Sequence, residues 1–190
     1  MREVVTRLDA LREIAMDQHS FVTTAQAAGE GVGSAQLAMM VKRGRLERVA
    51  HGVCRVPQVP ANQFDNWAKA VLWTGAPEAC LSHETALAAW GITDINPDRI
   101  HILVGKDRRL RRAGGERYVV HHHDLTAEQR TWFEQIPVTN VATTVEQCID
   151  WGTATYLIRQ ALERTAGTSR LSPRGRERLT QKLEDRDHGR

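Results

Sequence analysis

The hydrophobic and polar positions of residues 21–57 follow helical spacing first and strand-like alternation afterwards. A run of threonines and alanines predicts a short helix near the start of this stretch. After a glycine-rich turn, Leu37, Met40 and Val41 recur at i, i+3 and i+4 and predict a second helix over about 35–43. Two helices joined by a tight turn are typical of a helix-turn-helix.

Candidate capping residues agree with these helix boundaries. Thr23 or Thr24 can accept a hydrogen bond from an unpaired amide at the start of the first helix, and Ser34 can do so for the second. Gly44 follows the second helix, at the position where a left-handed residue commonly ends a helix. Both helices are therefore predicted to have defined ends.

Short apolar segments follow the second helix. Leu46 and Val49 precede a turn at Gly52, and Val53 and Val56 follow it, which predicts a β-hairpin. A hairpin directly after a helix-turn-helix is a wing. The pattern therefore predicts a winged helix-turn-helix.

This segment is basic, because residues 42–55 hold five basic side chains and one acidic side chain. A helix can enter the major groove of DNA while a neighbouring basic hairpin contacts phosphate. The same order of elements also occurs in small packing units and in winged helices that bind only protein, so that alternative stays open. On the DNA-binding interpretation, Gln36, Met39, Lys42 and Arg43 face the groove, and Arg45, Arg48, His51 and Arg55 contact phosphate at or near the wing.

An amphipathic helix is predicted before the winged segment. Val4, Leu8, Leu11 and Ala15 lie at helical spacing within Arg2–Gln18. We expect this helix to pack on the core of the winged helix. Dimerisation through the same apolar face is the alternative.

The fold class is predicted as α+β, with an N-terminal winged helix-turn-helix followed by a mixed α/β domain with a small sheet and flanking helices. Two prolines in residues 57–62 predict a linker between these parts. The predicted boundaries are a DNA-binding domain over 1–57, an α+β domain over 63–167 and a basic C-terminal helix or tail over 168–190. Helices are predicted over 63–74, 82–90, 143–150 and 153–166, and Thr143 and Glu146 have the spacing of a capping box at the start of the third of these. A last, polar helix is predicted from Pro173 onwards, with Leu179 and Leu183 as a narrow apolar seam. Strands are predicted over 99–104 and 118–122, with 132–134 and Val138 as further candidates for the sheet.

Composition narrows the class of protein. The 190 residues are 41% hydrophobic and 26% charged, which is normal for a globular chain. No stretch has the length and apolarity of a membrane span or signal peptide, so we expect a cytoplasmic protein. The three cysteines lie far apart and form no CxxC pair, which argues against a cysteine zinc site and a disulfide framework.

Charge is segregated along the chain. Residues 1–55 and 164–190 are net basic, whereas residues 56–163 are net acidic. This layout suits a DNA-binding end and a middle part with a different role. A basic loop interrupts the acidic part. This loop either binds the backbone of nucleic acid or an acidic partner surface, or it is a solvated loop without a ligand. Its candidate residues for a second basic patch are Lys106, Arg108, Arg109, Arg111 and Arg112.

Histidines at three consecutive positions, His121, His122 and His123, raise the question of a metal site. On a strand, only the first and third can share a face, and Asp124 alone does not complete a ligand set. We interpret these histidines as a solvated strand end. We therefore predict no metal site and no cofactor.

Other catalytic patterns are incomplete. Residues 82–84 have the letters of a serine–histidine–carboxylate triad, but neighbours on a helix do not face each other. We interpret this serine as a helix cap and this histidine as packed or hydrogen-bonded. A nuclease could use Asp94, Asp98 and Lys106, but the acid-x-lysine element is missing. We predict no catalytic residues and no enzymatic activity.

The N-terminal residues resemble the winged helix of AbiEi-type antitoxins from bacterial type IV toxin–antitoxin systems. The shared pattern lies at Thr23–Ala28, Arg43–Gly44, Leu46–Val49 and Gly52–Val56. Cys54 stands where many members of the family carry an aromatic residue. The resemblance implies a winged-helix fold and DNA binding for this part of the chain.

The resemblance extends over about residues 20–165. Thr143–Thr144 departs from it, because the family commonly has an arginine–threonine pair there, and a role for that arginine is in doubt in this chain. The motifs that match are Ser82, His83, Thr85, Ala86, Gly91, Pro97, Arg99–His101 and Ile136–Thr139.

The family resemblance implies an antitoxin that binds inverted repeats upstream of its own operon and counters a nucleotidyltransferase-like toxin, directly or indirectly. The expected partners are therefore double-stranded DNA and that toxin, with no membrane partner and with a dimer on DNA as a further expectation. One alternative is a stand-alone transcriptional regulator with a dimerising or sensory C-terminal domain. A Mg²⁺-dependent nuclease is the second.

Overall fold

The computed structural model describes residues 6–189, which fall into two compact units. Each unit combines helices with a small β-sheet, so the predicted α+β class is confirmed. The first unit comprises Met1–Pro77, Arg109–Glu116 and Glu134–Ile136, and the second comprises Glu78–Arg108, Arg117–Phe133 and Pro137–Arg190.

The first unit contains the predicted winged helix-turn-helix. Its three-stranded sheet has the order β1-β3-β2, and both pairings are antiparallel. The elements are α1 (Arg7–Met16), β1 (Phe21–Thr23), α2 (Thr24–Gly29), α3 (Ser34–Lys42), β2 (Glu47–Ala50), β3 (Val53–Arg55) and α4 (Asp65–Thr74).

Strand β1 is the element of this sheet that the pattern did not predict. It is only three residues long and lies directly before α2, so alternation within it is too brief to detect. Its residues pair with β3, which places the start of α2 beside the wing. The backbone amide of Thr24 donates to the carbonyl of Gly52 at 2.9 Å and fixes that position.

The core of the first unit joins helices α1 to α3 to the sheet. Leu11 and Ala15 of α1 are fully buried there, beside Val22 and Leu37. The prediction that α1 packs on the winged helix is therefore confirmed, although the helix is shorter than predicted. Val4 and the other residues before Thr6 lie outside the described residues.

Two helix ends in the first unit confirm the capping predictions and one does not. Thr23 caps α2 in a capping box with Gln26, and Gly44 has a φ of +68° directly after α3. Ser34 is the first residue of α3 and not its cap. Gly33 holds the N-cap position and supplies no side-chain hydrogen bond.

The segment predicted as a linker is packed against the winged helix. Val59 lies on the core of the first unit, and the Asn62 side chain hydrogen-bonds with the His19 ring at 2.9–3.2 Å. Helix α4 follows and contacts strands β1 and β3. These contacts accompany the inclusion of residues up to Pro77 in the first unit.

The second unit holds most of the remaining chain. Its five-stranded sheet has the order β6-β5-β4-β8-β7. The elements are β4 (Cys80–Leu81), α5 (His83–Trp90), β5 (Ile100–Val104), β6 (Tyr118–His122), β7 (Arg130–Phe133), β8 (Ile136–Thr139), α6 (Val141–Trp151), α7 (Thr155–Arg164) and α8 (Pro173–His188), with a short 3-10 helix at Ala127–Gln129 before β7.

Strand β4 connects the two halves of this sheet. It pairs antiparallel with β5 through Cys80↔Leu103 and Leu81↔Ile102, and parallel with β8 through Leu81↔Val138. Strands β5 and β6 are parallel. Residues 101–104 of β5 are all buried, so this strand is covered on both faces.

Helices α5 to α8 share one hydrophobic core. Leu179 and Leu183 of α8 are buried in it, as the narrow apolar seam of this helix predicts. The C-terminal segment is therefore packed in the second unit and is not a free tail. Ser172 caps α8, with Pro173 in its first turn.

The predicted capping box at the start of α6 is wrong. Asn140 is the N-cap, and its side chain accepts a hydrogen bond from the amide of Thr143 at 2.8 Å. Glu146 instead accepts hydrogen bonds from Arg178 and Lys182 of α8 at 2.7–3.2 Å. These contacts hold the pKa of Glu146 below its ordinary value, chiefly through the hydrogen bond from Arg178.

This ion-pair network gives a pH-dependent prediction. Because the pKa of Glu146 is lowered by folding, its contribution to stability is present above the unfolded pKa and is lost as the pH falls through the folded pKa. Glu146→Gln should lower the free energy of unfolding by about 0.5–1 kcal/mol at pH 7, a modest value because Arg178 is 54% exposed. Urea denaturation at pH 7 and pH 3 measures the difference.

Glu163→Gln is the matched control, since Glu163 is an exposed glutamate of the neighbouring helix α7. It should change stability little at either pH. An equal loss for Glu146→Gln at both pH values would contradict the assigned charge interaction.

Candidate nucleic-acid interface

The side of helix α3 that is predicted to face DNA is exposed to solvent. Leu37 is buried in the core, and Met40 and Val41 are partly buried against it. Gln36 and Met39 are exposed, as are Lys42 and Arg43 at the end of the helix. The structure therefore leaves the four predicted groove-facing side chains in solvent, on a helix of nine residues.

The wing is a β-hairpin with an irregular register. Glu47 pairs with Arg55 and Arg48 with Cys54, and the register then shifts before Ala50 pairs with Val53. Gly52 has a φ of +70° in the turn, where a side chain would be strained. Of the side chains predicted to contact phosphate at or near the wing, three are exposed: Arg45, Arg48 and His51.

Arg48 lies beside a buried thiol. Its cross-strand partner Cys54 is in the hydrophobic core, and the two side chains share one face of the sheet. Burial raises the pKa of Cys54, and the charge of Arg48 opposes that effect. The thiol is therefore protonated at neutral pH and is a core residue.

Arg55 departs from the predicted interface. It lies on the central strand β3 and is only partly exposed, and its Nε is a buried atom that has no hydrogen-bond partner among the described residues. Its neighbours across the sheet are Phe21 and Glu47. Phe21 is buried outside the helical core, and α4 contacts the strands that carry Phe21 and Arg55, so we assign Arg55 to the face toward α4.

The predicted second basic patch is largely engaged in intramolecular contacts. Lys106 pairs with Asp124 at 3.4 Å, and Arg108 forms two hydrogen bonds with the carboxylate of Glu78 at 2.7 and 2.8 Å. This bidentate pair satisfies the charges of both Arg108 and Glu78, so the Arg108 guanidinium is not left for a ligand. The five residues also divide between the units: Lys106 and Arg108 belong to the second, and Arg109, Arg111 and Arg112 to the first.

Arg112 is a structural residue. Its Nη1 donates to the backbone carbonyl of Trp73 at 2.8 Å, and the Trp73 indole in turn donates to the carbonyl of Ala113 at 2.9 Å. These bonds attach residues 109–116 to the end of α4. Arg109 and Arg111 stay exposed and are the part of the patch left for a ligand.

A histidine cluster lies in the second unit. His83, His101 and His121 each place a ring nitrogen within 4.8 Å of those of the other two. His121 is partly buried and its ring stacks on His83 with a centroid distance of 3.5 Å, so it is not the solvated strand end that the sequence indicated. His122 and His123 are exposed, as that interpretation expects.

Burial governs the protonation of these histidines. It lowers the pKa of His83 to about 3, and the neighbouring imidazoles add to the effect. It lowers the pKa of His121 to about 4 and also lowers the pKa of His101, for which the nearby Glu84 carboxylate acts in the opposite direction. All three rings are therefore neutral at pH 7. No spacing motif in the sequence indicates this cluster, because its members are 18 and 20 residues apart.

Residues 82–84 do not form a triad. The Ser82 hydroxyl hydrogen-bonds with Nδ1 of His83 at 2.9 Å, so the interpretation of this histidine as hydrogen-bonded is confirmed. The two side chains meet because Ser82 is extended and His83, the first residue of α5, has a φ of +47°, so the pair does not have the backbone geometry of a regular helix. Glu84 lies beside His101 instead, at 3.8 Å.

The residues considered for a nuclease have other contacts. Asp94 pairs with Arg164 at 2.8 Å and also accepts a hydrogen bond from Gln160. Lys106 pairs with Asp124. Asp98 is exposed, and no acidic pair with a lysine is formed by these three residues within residues 6–189.

A helix-turn-helix followed by a hairpin whose strand pairs back to β1 defines the winged-helix class. Residues 9–57 match the model of a family described as "Transcriptional regulator, AbiEi antitoxin", so the resemblance to this family is confirmed for the winged-helix segment. The matched residues lie in the winged-helix part of the first unit.

Other comparisons add little to this family match. No curated protein matches the chain. A crystal structure of the RV2827C protein from Mycobacterium tuberculosis is similar, with a TM-score of 0.42 and 15% identity over 98% of this chain and 79% of that one. Among residues 6–189, no helix combines the length and the apolarity needed to cross a membrane.

The contact between Arg112 and Gly75 is open to a direct test. Gly75 ends α4 with a φ of +63°, and a β-carbon there would collide with the Arg112 guanidinium. Gly75→Ala should therefore lower the free energy of unfolding by about 1–2 kcal/mol, through backbone strain and loss of the Arg112 hydrogen bond. Urea denaturation of the two single variants and the double variant with Arg112→Ala measures the coupling.

We expect the double variant to be more stable than the sum of the single losses predicts, by about 1 kcal/mol. In the Arg112→Ala background, the alanine at position 75 should cost only the backbone strain. Strict additivity would mean that Arg112 does not hold this position.

Proposed function

We propose that this chain is a DNA-binding antitoxin that represses its own operon through the winged helix and counters a nucleotidyltransferase-like toxin through the C-terminal domain. The family match over residues 9–57 supports the regulator role. The single observation that carries the DNA-binding part is the exposed basic surface formed by α3 and the wing. Its residues are Gln36, Met39, Lys42, Arg43, Arg45, Arg48 and His51.

The chemistry of these side chains suits two kinds of DNA contact. Gln36 can hydrogen-bond with the edge of adenine, and Met39, which is 50% exposed, can contact a thymine methyl group. Lys42 and Arg43, at the end of α3, can donate to the guanine edge in the groove. Arg45, Arg48 and His51 supply contacts to phosphate at or near the wing. Helix α3 is therefore proposed to read bases, and the wing to fix its register on the duplex.

Inverted repeats would bind two copies of the chain. A two-fold operator places two recognition helices about one helical turn apart on the same face of the duplex. We therefore propose a dimer on DNA, with each winged helix bound to one half-site. The stoichiometry of the complex on a full repeat and on a half repeat tests this point.

The toxin-directed part of the proposal rests on the family resemblance of the second half of the chain. Its experiment is co-expression of this chain with the nucleotidyltransferase-like protein encoded beside it. Growth that the toxin alone arrests should be restored by the full chain. Restoration by a chain that no longer binds the operator would separate the two activities, and no restoration would leave a stand-alone regulator.

Fluorescence anisotropy on the DNA upstream of the gene tests the DNA-binding part directly. The full chain should bind that duplex more tightly than a scrambled duplex of equal length and composition. Specific sites are typically bound about 10³-fold or more tightly than non-specific DNA at physiological salt. Equal binding to both duplexes would leave only a general attraction for nucleic acid.

Arg48→Ala tests the phosphate contact at the wing. The variant should bind every duplex more weakly, and the slope of log K against log salt should flatten by about 0.9, because one phosphate contact is lost. Arg176→Ala removes the same charge from the exposed face of α8 and is the matched control. A loss confined to the native duplex would assign Arg48 to base recognition.

Gln36→Ala tests base recognition by α3. Binding to the native duplex should weaken by about 1–3 kcal/mol, while binding to the scrambled duplex and the salt slope should stay unchanged. The contrast with Arg48→Ala separates the two kinds of contact in one titration series. Equal weakening on both duplexes would show that Gln36 does not read sequence.

A further inference from the structure

The three clustered histidines come from three different elements of the second unit. His83 opens α5, His101 lies in β5 and His121 in β6. In the parallel register of β5 and β6, His101 pairs with Val119 and Leu103 with His121, so both histidines point to the same face of the sheet. Helix α5 contacts β5 and brings His83 to that face.

The ring nitrogens of His101 have two different neighbours. Nδ1 lies 3.0 Å from Nε2 of His121, inside the cluster. Nε2 lies 3.8 Å from the carboxylate of Glu84, which is itself held by a hydrogen bond from the Thr153 hydroxyl at 3.0 Å. A carboxylate beside one ring nitrogen favours the proton on that nitrogen. The other nitrogen, Nδ1, then keeps its lone pair for a metal ion.

His83 is oriented in a similar way. Its Nδ1 is hydrogen-bonded to the Ser82 hydroxyl at 2.9 Å, so Nε2 is the remaining ring nitrogen. His83 has a φ of +47°, a backbone conformation that residues with a β-carbon rarely adopt. Strained backbone of this kind persists where surrounding contacts fix it, often at a binding site.

The cluster lies at the boundary between the interior and solvent. His83 and His101 are 8% and 4% exposed, whereas His121 is partly exposed. Trp151, at the end of α6, sets its ring nearly perpendicular to all three imidazoles with centroid distances of 4.9–5.9 Å. The cluster is therefore shielded from solvent on the side of α5 and β5, and solvent can reach it from the side of His121.

We propose that His83, His101 and His121 bind one divalent transition-metal ion, with Zn²⁺ as the expected occupant and a water molecule in the fourth position. Three imidazole nitrogens with an open position are a recurrent ligand set for zinc. Bonds of about 2.0–2.1 Å in a tetrahedral site place the nitrogens about 3.3 Å apart, close to the distance between His101 and His121.

The charge beside the cluster favours this occupant. Glu84 supplies a negative charge next to His101, which offsets part of the charge of the ion. The nearby cation Arg99 donates its Nη2 to the carbonyl of Tyr118.

A bound ion would join three elements, α5, β5 and β6, at one point. Strand β6 is at the edge of the sheet and, within residues 6–189, pairs only with β5. The ion would attach β6 to the start of α5 as well as to β5. Metal binding is therefore expected to stabilise the second unit against unfolding.

The test uses the full chain with any purification tag removed, because a histidine tag would itself bind metal. Titration with Co²⁺ should give visible absorption bands of a tetrahedral site that saturate at one equivalent, and Zn²⁺ should displace them. The thermal midpoint should rise with Zn²⁺ and fall again with a chelator. Absence of both the bands and the thermal shift would overturn the proposal.

Variants at the cluster and beside it locate the site. His121→Gln should weaken the metal affinity by more than about tenfold, while His123→Gln, at an exposed position two residues further on, should bind as the unmodified chain does. Far-UV circular dichroism of the metal-free variants checks that each is folded. Equal affinity of the two variants would place the metal elsewhere and contradict the proposal.

A second variant keeps the test valid if loss of His121 disturbs the fold. Glu84→Gln retains the three ligands and the hydrogen bond from Thr153 but removes the charge that orients His101. As a positioning residue, Glu84 should change the Co²⁺ affinity by about 10–100-fold without changing the stoichiometry of one. Unchanged affinity, with the protein folded, would count against the assigned donor nitrogen of His101.

Discussion

Each sheet of this chain depends on a very short central strand that is hydrogen-bonded on both sides. Strand β3 has three residues and joins β1 to β2, and strand β4 has two residues and joins β5 to β8. Strands of this length do not form alone, so their positions depend on the pairings and on the buried side chains beneath them. The position of β3 fixes the turn of the wing, and the position of β4 fixes the start of α5 at His83.

The positions of the basic residues divide them into two groups. Those of α3 and the wing lie on short elements whose other side chains fill the core, so the charges are left in solvent. Several in the loop between β5 and β6 instead hold the chain together, through Glu78, Asp124 and the carbonyl of Trp73. Equal net charge in two segments therefore has different consequences for ligand binding.

The histidine cluster depends on strand order rather than on sequence spacing. A parallel pair places His101 and His121 on one face, although 20 residues separate them. The turn from β4 into α5 adds His83, whose left-handed backbone differs from that of an ordinary helix start. Trp151 then covers part of the cluster from a helix that lies much later in the chain.

The sequence by itself determined the winged helix, because helical spacing, glycine turns and a hairpin are local features that each need only a few neighbouring residues. It also determined the last helix, from Pro173 and the seam at Leu179 and Leu183. It did not determine β1, β4, the cap at Asn140 or the pairings of Arg108 and Arg112, since these depend on partners far along the chain. Only the tertiary structure put Arg55 on the central strand of its sheet, across from Phe21 and Glu47, and brought the three histidines together, because strand order and register decide which distant side chains share a face.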